Sequence, residues 1–220
     1  MSKRKTSNDP SGHPPRGRIV VLSAPSGAGK STLAQALLAQ TPGMTRSITF
    51  TTRPKRLGEV DGRDYHFVSQ EEFEVRIRQG DFLEFSTVHG HSYGTSRADV
   101  NRRCAQGLDV LLVIDYQGAA KIRQGGLTAL SIFVLPPSMA ALRQRLRQRN
   151  SEDEKTLRQR LAIAPTEMRR FRDYDYIIVN DDLTTAVQQL QAIIVADRCR
   201  VERLNCQYPI FAELDGLAYE

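Results

Sequence analysis

The sequence predicts an α/β fold, a parallel sheet with helices packed on both faces. Three observations lead there. Near-continuous apolar runs at residues 19–22, 110–114, 130–135 and 176–179 suit strands buried on both faces. Stretches with apolar residues at helical spacing alternate with these runs. The first run is followed by a glycine-rich loop and then a helix.

Taken in order, residues 1–17 are polar and basic with Pro10, Pro14 and Pro15, and predict a disordered tail without a secretory signal. The loop at 23–32 reads Ser-Ala-Pro-Ser-Gly-Ala-Gly-Lys-Ser-Thr and predicts a site for the phosphates of a nucleotide. Gly27 and Gly29 let backbone N–H groups turn around an anion, and the positive end of the following helix adds to the attraction. Ala24, Pro25, Ser26, Ala28 and Thr32 complete this loop. Lys30 would reach the β- and γ-phosphates, and Ser31 would place a hydroxyl on Mg2+. Ala24 stands where the strict pattern has glycine. Leu33, Ala34, Leu37 and Leu38 carry the helix until Thr41, Pro42 and Gly43 stop it.

Residues 47–52 alternate apolar and polar at Ile48 and Phe50 like a short half-buried strand. Residues 53–64 are basic, turn-rich and poor in apolar side chains, a composition suited to holding an anion. Ser69 and Glu72 form a capping box for a helix that carries Phe73 and Ile77 and ends at Gly80. A strand is expected at 81–88, a turn at 89–94, and then a helix capped by Ser96 or Thr95 and running to Gly107. Asp115 closes the strand at 110–114, where ligands sit in open α/β sheets. Ser138 can cap an arginine-rich helix, Ser151 and Glu154 form a second capping box, and Pro165 bends or ends the helix they start. The final strand leads through Asn180 and Asp182 into a helix with Leu183, Val187, Leu190 and Ile194 at helical spacing.

The 220 residues allow one sizeable domain or two small ones, and no run is long enough to span a membrane. Net charge is +6, half of it from Lys3, Arg4, Lys5 and Arg16 against Asp9 in the tail. The remainder suits a protein that handles anionic nucleotides, without any specific nucleic-acid partner. Cys104, Cys199 and Cys206 lack zinc or redox spacing and suit a reducing cytoplasm. No residue pattern specifies an oligomeric state.

Together the loop, Thr51-Thr-Arg53-Pro-Lys-Arg56, Gly58-Glu-Val60, Ile114-Asp-Tyr-Gln-Gly118 and Val179-Asn-Asp-Asp182 resemble the guanylate kinase family in content, order and interval. The resemblance covers about residues 18–205 and leaves 206–220 as an extension without functional signal. It implies a phosphate-loop kinase core, a small GMP-binding insertion at about 50–96 and a mobile helical lid at about 141–165. It also implies the reaction, transfer of the γ-phosphoryl group of MgATP to GMP to give ADP and GDP.

By the same resemblance Arg53, Arg56, Tyr65 and Tyr93 hold the GMP phosphate. Guanidinium forks and phenolic hydroxyls are suitable donors, although the tyrosines are also consistent with core positions. Glu84 matches the carboxylate that reads guanine, whose N1–H and amino group are adjacent donors; adenine would turn a lone pair towards it. Thr49 and Thr95 stand where the family has hydroxyls against the base. Arg149 and Arg160 match lid arginines that act with Lys30 and Arg53 on the transferring phosphate, and Asn180 matches a position near the ATP adenine. Asp115 is either the carboxylate acting on Mg2+ through its waters or a helix cap. Val113 departs from the aspartate usual in the family. Two rival readings are a noncatalytic module that binds phosphorylated proteins and a kinase for a ribose phosphate. Intact Gly27, Gly29, Lys30 and Ser31 argue against the first, and Glu84 with Arg53, Arg56 and Tyr65 against the second.

Overall fold

The computed structural model describes residues 16–88, 90–148, 154–204, 210 and 213. In chain order its elements begin with β1 (Ile19–Ser23), α1 (Lys30–Gln40), β2 (Met44–Arg46), β3 (Phe50–Thr51), β4 (His66–Phe67) and α2 (Gln70–Arg78). Then come β5 (Phe82–Val88), β6 (His91–Ser96), α3 (Arg97–Ala105), β7 (Asp109–Val113), α4 (Tyr116–Gln124) and β8 (Ala129–Leu135). The chain continues with α5 (Met139–Gln148), α6 (Glu154–Met168), a 3-10 turn at Arg169–Asp173, β9 (Tyr176–Val179), α7 (Leu183–Arg198) and α8 (Val201–Leu204).

The larger sheet has five parallel strands in the order β2-β7-β1-β8-β9. Its centre explains why β1 has no exposed position. Val20 and Leu22 pack with Leu33, Leu37, Val187 and Leu190 of α1 and α7 on one face. Ile19 and Val21 pack with Val100, Cys104, Ala119 and Ile122 of α3 and α4 on the other. Side chains alternate between faces, so a strand covered on both sides must be apolar at every step.

A second sheet, ordered β4-β3-β6-β5, lies in the chain between β2 and α3. Its apolar side is closed by α2, whose fully buried Phe73 stacks on Phe82 with ring centroids 4.6 Å apart. The sequence reads residues 89–94 as a turn; the structure has β6 from His91 onward, antiparallel to both β3 and β5. Gly90, with φ of 79°, confines the reversal. His89 lies outside the described residues. The strand escapes a pattern search because Ser92, Gly94 and Thr95 interrupt any apolar alternation. β2 is likewise unmarked in the sequence.

Ser69, Ser96 and Ser138 accept N–H bonds from Glu72, Asp99 and Ala141, so Ser96 rather than Thr95 caps α3. Pro165 does not end α6, which continues to Met168 before tightening into the 3-10 turn. Ser151 and the capping box it would form lie outside the described residues. The fold starts slightly earlier than the tail boundary expected at 17. Gly17 donates its N–H to the Cys104 carbonyl at 2.8 Å, and Arg16 reaches Asn101 at 3.1 Å. Only glycine fits at 17, since a Cβ would lie 1.9 Å from the Leu108 carbonyl oxygen.

An ion cluster binds the strand N-termini at the opposite end of the sheet from the loop. Asp109 accepts from Arg198 at 2.8 Å and Arg203 at 2.7 Å, and Asp197 from Arg18 at 2.7 Å and Arg203 at 2.5 Å. Both carboxylates are buried.

Candidate active site

The loop leaves β1 at Ser23 and returns as α1 at Lys30, so its N–H groups gather at the C-terminal edge of the sheet, beside the end of β7. Gly27 and Gly29 have φ of 88° and 92°, a region that disfavours other residues. A Cβ on Gly29 would also lie 2.4 Å from the Asn180 amide nitrogen. Gly29 is the N-cap of α1 and offers no side-chain acceptor, which leaves the positive end of that helix to a ligand.

One cleft faces this loop. Ala24, Pro25, Ser26, Gly27, Gly29, Lys30 and Ser31 form its floor, and Thr49, Arg56, Tyr65, Glu84 and Tyr93 form the wall from the second sheet. Val113 and Asp115 contribute from the end of β7, and Arg160 and Glu167 from α6. The residues expected around two nucleotides are thus largely brought together.

Several expected residues stand behind the wall. Arg53 is buried, bonded to Glu59 at 2.7 Å and to the Pro54 carbonyl at 2.7 Å, with its guanidinium 5.3 Å from the Tyr65 ring centre. Thr95 is buried and donates to Glu84 Oε1 at 2.5 Å. Ala28 is buried beneath the loop, and Thr32 points outward on α1. Asn180, matched by resemblance to a site near adenine, instead turns its amide onto the Ala28 carbonyl at 2.8 Å and braces the loop. Arg149 lies outside the described residues. Tyr65 and Tyr93 are half-buried, their rings 6.2 Å apart, and line the cleft rather than the core.

Glu84 is 3% exposed, and burial pushes its pKa up to about 7 against the Thr95 hydrogen bond, with Asp115 adding to the rise. Gly118 on α4 makes room for it: a Cβ there would lie 2.3 Å from Glu84 Oε2. Lys30 donates to the Ile114 carbonyl at 2.9 Å; burial lowers its pKa and Asp115 works in the other direction. Arg160 donates to the Ser26 hydroxyl at 3.0 Å.

Asp115 caps α4, its Oδ1 accepting from the Gly118 N–H at 2.9 Å and the Ser86 hydroxyl at 3.0 Å. Gln117 donates to Oδ2 at 3.1 Å. The capping alternative is therefore what the hydrogen bonds describe, yet the same carboxylate borders the cleft with the Ser31 hydroxyl. These are hard oxygen donors of the kind Mg2+ takes, and Mg2+ keeps most of its waters, so the pair fits a phosphate-bound ion.

Sequence reading missed Glu167. It carries no motif, and only the packing of α6 across the loop brings it beside Ser26. Burial raises its pKa, opposed by the nearby Ser26 backbone and the charges of Lys30 and Arg160. Glu59, part of the Gly58-Glu-Val60 motif but without a role of its own there, holds Arg53 from six residues away.

Residues 16–197 match the family model for guanylate kinase. A guanylate kinase from Symbiobacterium thermophilum is 51% identical over 189 residues, covering 86% of this chain and 90% of the relative. Another, from Alkalilimnicola ehrlichii, is 47% identical over 197 residues, with 90% of this chain and 96% of the relative covered. The crystal structure of guanylate kinase from Anaplasma phagocytophilum matches with a TM-score of 0.71 at 34% identity, covering 90% of this chain and 98% of that one. With a phosphate loop facing a buried glutamate across one cleft, and similarity running the length of the described core, the chain belongs to the guanylate kinase family.

Proposed function

We propose that this protein transfers the γ-phosphoryl group of MgATP to GMP, producing ADP and GDP, with ATP seated on the loop and GMP against the second sheet. The observation that carries this reading is Glu84, a buried carboxylate on the wall opposite the loop. Its two oxygens suit the adjacent N1–H and amino donors of guanine, and Thr95 fixes one of them. Thr49 adds a hydroxyl on the same wall.

Phosphoryl transfer needs alignment and charge compensation more than covalent chemistry. Arg56, Tyr65 and Tyr93 would hold the GMP phosphate, with Arg53 joining by exchanging Glu59 or the Pro54 carbonyl for it. Loop N–H groups and Lys30 would hold the ATP phosphates, Lys30 giving up the Ile114 carbonyl. Ser31 and Asp115 would hold Mg2+, which when bound would supply positive charge to the ATP phosphates. Arg160 and Arg149 would approach the transferring group from a lid built on α5 and α6, whose closure excludes water. No helix among the described residues is long and apolar enough to cross a membrane, and the cytoplasm is the proposed compartment.

The test is ADP release from MgATP with a panel of GMP, AMP, CMP, UMP and ribose phosphates. GMP should be the one good acceptor. No turnover with any of them, together with tight binding of a phosphopeptide, would replace this reading with the noncatalytic module.

A further inference from the structure

Helix α6 brings a negative charge onto a loop shaped for anions. Glu167 lies about two turns beyond Arg160 on the same helix, and both border the cleft at Ser26. Arg160 takes the Ser26 hydroxyl at 3.0 Å, and Glu167 lines the same cleft beside the Ser26 backbone. A carboxylate oxygen on a loop N–H is the same kind of acceptor as a phosphate oxygen. Lys30 is likewise engaged by a protein oxygen, the Ile114 carbonyl at 2.9 Å. The cleft's cations, Lys30, Arg56 and Arg160, therefore face Asp115 and Glu167 as well as Glu84.

We propose that Glu167 is a stand-in anion for the phosphate loop, joining lid helix to loop until a nucleotide polyphosphate displaces it, and making the site discriminate against nucleotide that arrives without its metal. A bare triphosphate must evict one carboxylate while approaching a second, Asp115. A metal-bound triphosphate brings charge that offsets both. Glu167 is thus a specificity-determining residue on the ATP side of the cleft, and the inference rests on the reading of that side as the ATP site.

Calorimetric titration of the full chain with ATP, in EDTA and in Mg2+, tests this on wild type, Glu167→Gln and Glu167→Ala. Removing a competing negative charge from the cleft should tighten metal-free ATP about tenfold in Glu167→Ala. Glu167→Gln keeps an acceptor without the charge and should gain less. The gain with MgATP should be smaller in both, GMP affinity should not move, and the nucleotide-free Ala variant should melt below wild type. Unchanged or weaker metal-free ATP binding in both folded variants overturns the proposal and makes Glu167 a structural or productive contact. Wild type that binds no ATP in either condition overturns the ATP reading of the loop itself.

Discussion

Glu84 meets two opposed demands. Burial favours its neutral acid and lifts its pKa to about 7, whereas a base edge with two donors needs the carboxylate. Because the native state holds the proton to higher pH than an unfolded glutamate does, this group's contribution to stability declines as pH rises towards about 7 and is level above it. GMP recognition runs the other way. KM for GMP should fall as pH rises through about 7 while KM for ATP stays flat, and Glu84→Gln should abolish the dependence; steady-state profiles of both substrates check this. Gly118→Ala should push the Glu84 carboxylate off its position, since the new Cβ would lie 2.3 Å from Oε2. The expected readout is a higher KM for GMP at unchanged KM for ATP. Val113 ends β7 and borders the cleft with Asp115, which lies beyond the strand as the cap of α4, but Val113 also packs against the apolar cluster under α1. Val113→Asp should lower KM for GMP, by at most about 1 kcal/mol in binding for one net hydrogen bond, with repulsion from Asp115 and Glu84 limiting the gain. The variant should melt lower. Titrations of GMP and Mg2+ separate the two substrates' sides: an altered Mg2+ dependence at constant GMP affinity would place Val113 with ATP.

The helices and strands owe their placement to forces of different range, and this decides which of them a sequence reveals. At the base, Asp109 ties the start of β7 to the end of α7 and to α8 through Arg198 and Arg203. Asp109→Ala leaves Arg198 without its buried partner and Arg203 with Asp197 alone, and should lower stability by about 3 kcal/mol in urea unfolding, with kcat unchanged because the cluster lies at the far end of the sheet. No motif announces that cluster. β1, β7 and β8 were legible because a strand covered on both faces needs an unbroken apolar run, and the serine caps because a cap acts within three residues. β6 was not, because one of its faces serves a polar cleft and its partners β3 and β5, not its own composition, make it a strand. Within the site, the loop, Glu84 and the tyrosines could be read from local chemistry and family pattern. The bond from Asn180 to Ala28 spans 152 positions, and Glu167 meets Ser26 only through the docking of α6. Contacts of that reach leave no periodic trace.

Across the whole molecule, the cleft collects the C-terminal ends of β1 and β7, one wall from the second sheet and side chains of α6. Its lining among the described residues begins at Ala24, so deleting residues 1–15 should leave kcat and both KM values unchanged. Deleting 1–17 also removes the bonds from Arg16 to Asn101 and from Gly17 to Cys104, and should lower the melting temperature. Kinetics and thermal unfolding of the two truncations separate these effects. The position of β1 has a further consequence, for synthesis. Its sheet neighbours are residues 110–113 and 129–133, so β1 leaves the ribosome well before either of its partners. Until β7 and β8 emerge, Ile19, Val20, Val21 and Leu22 present two open edges, and α4 and α7 are still missing from the two faces. A chain stalled before Asp109 would carry its most apolar strand as a template for pairing with another copy, which makes elongation through this interval the step most exposed to aggregation.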